Sequence, residues 1–174
     1  MTNLAFDFAP PRGTARFSPC GKYRYTLTRE GLGGHGTTVF IGLNPSTATA
    51  EEDDATIRRC IRFSKDWRSA RYVMLNLFAW RSTNPRGLLK VEEPVGREND
   101  QAFFDAVAGA ERVIAAWGSH AFLKGILPAR AAHVVELLRS ARVELYCLGT
   151  AKDGSPRHPL YLPADSELRQ WRMP

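Results

Sequence analysis

The sequence predicts an α/β fold: a three-layer α/β/α unit around a central, mainly parallel four-stranded sheet, entered through an N-terminal antiparallel strand or hairpin. Three observations predict it. Four short runs are almost continuously apolar and β-branched, as strands covered on both faces are. Segments with apolar residues at helical spacing separate those runs. The 174 residues, 44% of them apolar, suffice for one sizeable core and not for two independent domains.

In chain order, residues 1–20 contain Pro10, Pro11, Gly13 and Pro19 with little periodicity and are expected to form an irregular arm. The core is expected over 21–163, followed by a C-terminal tail over 164–174, the whole chain being one domain. KYRYTLTR (22–29) alternates apolar and charged residues, the period of a half-exposed strand, and GLGGHG (31–36) turns the chain into the first buried strand. The four buried strands are TVFIGL (38–43), YVMLNLF (72–78), RVIAAW (112–117) and VELYCL (143–148). In the first gap Ile57, Cys60, Ile61, Ser64 and Trp67 share one helical side, with Arg58, Arg59, Arg62 and Lys65 around the rest. Asp54 is placed to cap that helix, and Asp53 and Asp54 together suit a helix start better than a metal pair, because no His or Cys lies near them. Ala102, Phe103, Ala106, Val107 and Ala110 mark the second helix. The third starts at Pro128, a favoured first helical position, and runs to about Ser140 with Val134, Leu137 and Leu138 inward.

Composition narrows the function. Cys20, Cys60 and Cys147 form no Cys-x-x-Cys pair and read as structural, buried thiols in a reducing compartment. The start MTNLAFDFAP lacks the regions of a signal peptide, and no apolar run approaches the ~20 residues that cross a bilayer. A cytoplasmic protein without membrane insertion is expected, its oligomeric state unspecified. A net charge of +6 and a pI near 9.5 favour an anionic partner, nucleic acid or nucleotide, although eighteen acidic residues are interspersed with the twenty-four basic ones. The Arg58, Arg59, Arg62 stripe reads first as a solvated helix face.

Ligands of open parallel sheets collect beyond the carboxyl ends of the strands, where helix amino termini point their free N–H groups. Those ends carry Gly42-Leu43-Asn44-Pro45-Ser46, then Asn76 with Phe78 and Trp80, then Trp117-Gly118-Ser119-His120, then Gly149 followed by KDGSPRHPLYLP (152–163). Glycines admit a ligand close to the backbone, and amides offer a donor and an acceptor to a flat heterocycle. The residues alone leave Asn44-Pro45 equally readable as a strand-to-helix turn capped by Ser46 or Thr47. No Gly-x-Ser-x-Gly elbow supports a serine hydrolase.

In this order GLNPS, VMLNLF, VIAAWGSHA and RHPLYL resemble the motif series of the uracil-DNA glycosylase superfamily over roughly residues 38–162. FIGLNPSTA, DDATIRRC, NLFAWRSTNP and KDGSPRHPLYLP more closely resemble a bacterial and phage family of domains of unknown function. The glycosylase resemblance implies a DNA glycosylase-like protein that recognises a nucleobase and hydrolyses its N-glycosidic bond. Asn44 would orient a water beneath the sugar, Asn76 would bond the edge of the base, and His158 would stabilise charge on the leaving base. Phe78 or Trp80 would stack on the extruded ring, and Leu160 or Tyr161 would fill the gap it leaves. Gly42, Leu43, Pro45, Ser46, Trp117, Gly118, His120 and Arg157 would complete the pocket. There are departures. Asn44 stands where the most active branch has a carboxylate, and the loop before His158, TAKDGSPR, is longer and more charged. Three cysteines cannot hold a four-cysteine iron–sulfur cluster, so neither a cofactor nor a metal is expected. The missing carboxylate keeps open a non-catalytic module that binds nucleic acid or a nucleotide, and an enzyme acting on a free nucleotide is a further alternative.

Overall fold

The computed structural model describes residues 13–174. It is an α/β structure built on one seven-stranded mixed sheet. The strands are β1 (Gly13–Phe17), β2 (Arg24–Glu30), β3 (His35–Gly42), β4 (Ser69–Asn76), β5 (Arg112–Ala115), β6 (Leu145–Cys147) and β7 (Arg169–Gln170), in spatial order β1-β2-β4-β3-β5-β6-β7. The four strands expected from their apolar runs lie side by side and pair in parallel, with Val39 opposite both Val73 and Val113. Antiparallel strands flank them on both sides: β1 on β2 and β2 on β4 at one edge, β7 on β6 at the other.

Three helices connect the parallel strands: α1 (Ala55–Asp66), α2 (Asn99–Val107) and α3 (Leu127–Ser140). Strand alternation divides the core between the two sheet faces. Phe40, Tyr72, Met74 and Ile114 point to one face and pack with Ile57, Cys60 and Phe63 of α1. Val39, Ile41, Val73, Leu75 and Val113 point to the other and meet Ala102, Phe103 and Val107 of α2 and Val134, Leu137 and Leu138 of α3. Burying each such side chain contributes about 1.5–3 kcal/mol. Asp54 caps α1, its carboxylate accepting the Ile57 N–H at 2.9 Å. Pro128 falls in the first turn of α3, where its missing N–H costs nothing.

Three expectations are corrected. The arm expected to be irregular over 1–20 contains strand β1, its Phe17 ring lying under the Arg81 guanidinium at 4.9 Å; residues 1–12 lie outside the described part. The KYRYTLTR strand, expected to be half exposed, is buried at Arg24, Tyr25, Leu27, Thr28 and Arg29, because both its faces are covered: Tyr25 lies in the core on the α2/α3 face, Leu27 in the core on the α1 face, and Arg24 and Arg29 bond to the loop before α1. The tail over 164–174 adds β7 to the sheet and buries Trp171, whose indole N–H donates to the Gly154 carbonyl at 3.0 Å. The sheet is accordingly larger than the four strands plus entry hairpin that the apolar runs predict. Cys60 and Cys147 are buried as expected, whereas Cys20 is exposed; all three are free thiols. No helix among the described residues is long and apolar enough to cross a membrane.

Topology places the site. The chain leaves β3 over one face through α1 to reach β4, then returns over the other face through α2 to reach β5, on the far side of β3. Loops diverge at the end of β3 and open a crevice there. Because β2 runs antiparallel to β4, its first residues lie at the same end.

Candidate functional site

The crevice is a cleft of about 210 Å³. Gly42, Leu43, Asn44 and Ser46 reach it from the end of β3, Asp54, Thr56 and Ile57 from the start of α1, and Met74 and Asn76 from β4. Ser82, Thr83 and Pro85 close another side, and His120 and His158 arrive from the loops after β5 and β6. Arg24 enters from β2.

Backbone bonds hold the loops in register. The Leu77 and Phe78 N–H groups donate to the Gly42 and Leu43 carbonyls at 2.9 Å, prolonging the β3–β4 pairing. Asn99 donates from Nδ2 to the Asn76 and Leu77 carbonyls at 3.0 and 3.1 Å, and Arg130 Nε donates to the same Leu77 carbonyl at 2.7 Å. Both helices on that face thus fix the backbone that presents Asn76. The Asn76 side chain is 1% exposed, and its Nδ2 has no partner among the described residues. A Cβ on Gly42 would stand 2.9 Å from Asn76 Oδ1 and 2.8 Å from Met74 Cε, so the close approach of that amide depends on the glycine.

Asn44 spends its amide N–H groups on the Pro45 and Ser82 carbonyls, at 3.1 and 2.8 Å. With both protons on carbonyls, the network assigns its orientation and leaves Oδ1 as the free acceptor. The Ser82 N–H returns a bond to the Pro45 carbonyl at 2.9 Å, so the two loops are tied together beside the cleft.

The imidazoles play opposite parts. Leu160 N–H donates to His158 Nδ1 at 3.3 Å, which puts the proton of the neutral ring on Nε2 and makes that atom a donor. Burial, followed by the charge of His120, lowers the His158 pKa and favours that neutral form. His120 Nε2 lies 2.8 Å from the Trp117 carbonyl, an acceptor only, so in the neutral ring Nδ1 keeps its lone pair. Gly118, at φ 79°, sits between them: a Cβ there would be 3.2 Å from His120 Nε2 and 3.5 Å from His158 Cβ.

Seven of the residues picked from the strand ends therefore meet in one cleft: Gly42, Leu43, Asn44, Ser46, Asn76, His120 and His158. Pro45 contributes its carbonyl and Gly118 its lack of a side chain. The expected aromatic platforms are corrected. Phe78 is 1% exposed and belongs to the core on the α2/α3 face. Trp80 packs edge-on against Tyr23 at 5.3 Å, outside the cleft lining. Trp117 turns away to meet Trp171 edge-on at 5.2 Å and lines a neighbouring, more apolar cavity that shares His120 with the cleft. Arg157 is exposed and not part of the lining; its backbone N–H donates to the Gly149 carbonyl at 2.8 Å. Leu160 is 41% exposed and Tyr161 76%, just after His158 in the chain.

Sequence reading missed Arg24, Asp54 as a cleft group, Thr56, Ser82, Thr83 and Pro85. Asp54 was legible as a cap, and the start of a helix that follows a strand end is where such a cap faces the ligand. Asp53 diverges from it, pairing with Arg29 at 2.7 Å, and among the described residues no cluster of His, Cys, Asp and Glu suits a metal ion.

The architecture and the cleft define an α/β protein with a cleft, lined by polar and apolar groups, where its parallel strands end. The chain belongs to the family described as protein of unknown function DUF1643, which matches it over residues 24–160 and so takes in every residue lining the cleft. No curated protein and no solved structure matches it.

Proposed function

We propose that this protein is glycosylase-like, taking one nucleobase of DNA into the cleft and hydrolysing its N-glycosidic bond. The observation that carries the reading is the convergence of Asn44, Asn76 and His158, from three segments remote in sequence, on one cleft of about 210 Å³. Ligand pockets for drug-sized molecules run to roughly 300–1,000 Å³, so this one suits a single flat ring better than a whole nucleotide.

The chemistry follows from the donors and acceptors. Breaking the glycosidic bond leaves positive charge on the sugar and negative charge on the base. His158, neutral with its proton on Nε2, donates a hydrogen bond to the departing base without giving up the proton. Asn44 Oδ1 accepts a hydrogen bond from the attacking water and orients it, but an amide cannot take the water's proton. Asp54 lines the same cleft and supplies the carboxylate that position 44 lacks, stabilising the cationic sugar and receiving the proton as water adds. Exposed Leu160 and Tyr161 suit an apolar wedge in the duplex. The resemblance of the ordered strand-end motifs to the uracil-DNA glycosylase superfamily supports the same reading.

The test is release of free base from a panel of oligonucleotides carrying uracil or damaged bases. Wild type is expected to release one of them, and Asn44→Ala and His158→Ala to lower the rate about 10²–10³-fold. Absence of release across the panel rejects the enzyme. One observation favours a second reading, a module that binds without cleaving: Asn44 already serves as a loop brace through both its N–H groups. Retained DNA binding with no product selects it.

A further inference from the structure

We infer that Arg24 is a ligand-binding residue of the cleft, donating from its buried guanidinium to an oxo or anionic group of the ligand and selecting against an amino group. The identity of the ligand as a nucleobase rests on the function proposed above; the assignment of Arg24 rests on its own surroundings.

Three arginines are buried among the described residues: Arg24, Arg29 and Arg130. Two of them have a carboxylate at hand. Arg29 lies 2.7 Å from Asp53 and adds bonds to the Thr28 and Thr49 carbonyls, and Arg130 lies 2.6 Å from Asp100. Arg24, 2% exposed, differs. Its Nη1 donates to the Ala48 carbonyl at 2.9 Å, its buried Nε–H has no partner, and no carboxylate reaches ion-pair distance among the described residues. Burial lowers its pKa to about 10, which leaves it charged at neutral pH. A buried, unpaired cation is costly, and proteins keep such groups paired unless something else supplies the partner.

The surroundings say what that partner is. Asp54 attracts the guanidinium through space, and Arg29 and Arg81 repel it. Tyr72 and Cys60, on β4 and α1, have pKa values raised by burial and bring no negative charge at neutral pH. His158 is held neutral, and His120 presents an imidazole to the same cleft. Asn76 Nδ2 is a second buried donor without an acceptor among the described residues. Two residues lining one cleft thus each carry a donor without a partner among the described residues; a ligand that brings acceptors suits them, and an amino group facing them would leave donor against donor. Leu43, Ile57, Met74 and Pro85 supply apolar wall, which suits a ring carrying oxo groups over a bare oxyanion.

Titration calorimetry on the full chain at pH 7.5 tests this with free uracil, the more acidic 5-fluorouracil, cytosine and inorganic phosphate. 5-Fluorouracil is expected to bind tightest, with one proton passing from its ring nitrogen to the buffer when it binds as the anion, and cytosine at least tenfold more weakly than uracil. Arg24→Gln should erase the advantage of 5-fluorouracil over uracil and the proton release, and Arg24→Lys, which keeps the charge, should restore part of both. The wild-type measurements decide the matter even where a variant fails to fold. Equal binding of uracil and cytosine without proton release overturns the role of Arg24 and leaves the nucleobase reading standing. Binding of phosphate but no base, lost in Arg24→Gln, overturns the nucleobase reading and keeps the anion site. Binding of neither overturns both.

Discussion

At the scale of single residues, Asp54 separates structure from chemistry cleanly. One oxygen accepts the Ile57 N–H at 2.9 Å and starts α1, and the same carboxylate faces the cleft. Asparagine caps a helix as well as aspartate but carries no charge. Asp54→Asn is therefore expected to change unfolding free energy by no more than about 0.3–1 kcal/mol, the value of a charge at a helix start. Base release is expected to fall about 10²–10⁴-fold, the usual worth of a positioned base. Equal losses of stability and rate would make Asp54 a cap alone. Gly42→Ala probes the opposite wall: its new methyl would displace the ends of Met74 and Asn76, so base binding should weaken about tenfold, roughly 1.4 kcal/mol, with little change in melting temperature. The polar residues Asn44, Asn76, His120 and His158 were legible because they lie at or beyond the ends of the apolar strands, where ligands of open sheets collect, although each had an ordinary turn or structural use as well. The aromatic ones misled. Whether Phe78 or Trp117 points to a core face or to the cleft turns on where the chain bends after the strand, which composition does not encode. Arg24 was hidden for a related reason: charge in an alternating strand reads as solvent-facing until the loop before α1, whose Ala48 carbonyl accepts from it, is known to lie over that face.

At the scale of elements, the parallel strands and all three helices could be read because burial on both faces, helical spacing, the Asp54 cap and Pro128 agree with one another. The edge strands could not. β1 and β7 are short, polar and held by pairing and by Phe17 and Trp171, contacts between segments far apart in sequence. The turn into β3 is equally non-local: a Cβ on Gly34 would lie 1.7 Å from the Arg68 carbonyl, where the chain enters β4. Gly34→Ala must push two backbones apart and should cost more than about 2 kcal/mol in urea unfolding, while Gly125→Ala, whose Cβ meets nothing within 4 Å, should stay within about 0.5 kcal/mol. Asp100 links α2 to α3 through Arg130 at 2.6 Å and His133 at 2.7 Å. Burial pushes its pKa up, but hydrogen bonds from Arg130 and His133 together outweigh it, and the net shift is downward. A carboxylate whose folded pKa lies below its unfolded value of about 3.9 stabilises the fold above that pH and loses the contribution as pH falls through the folded value. The stability gap between wild type and Asp100→Asn should thus close progressively below about pH 4. A gap that widens in acid contradicts the pairing.

At the scale of the whole molecule, the chain carries a net charge of +6, and some of its exposed cations stand beside the cleft. Arg86, Lys124 and Arg157 are exposed and sit next to cleft residues: Arg86 follows Pro85, Lys124 lines the cavity that shares His120, and Arg157 precedes His158. Arg86 is also held in place, its guanidinium 4.6 Å from the centre of the Phe122 ring. On the proposed function, these cations, with Leu160 and Tyr161 exposed beside them, would grip the phosphates around an extruded nucleotide. Each phosphate neutralised releases counterions, so three contacts predict a slope of about −2.7 in log affinity against log salt for duplex DNA. Replacing all three with glutamine should flatten that slope toward zero and weaken DNA binding at low salt. Binding of a free base, which touches none of them, should be unchanged, and this contrast distinguishes a phosphate grip from damage to the cleft. A triple variant that keeps the slope would move the DNA track elsewhere, to the Arg58 and Arg62 face of α1. One that loses free-base binding as well would show damage to the cleft and would count against a separate phosphate grip.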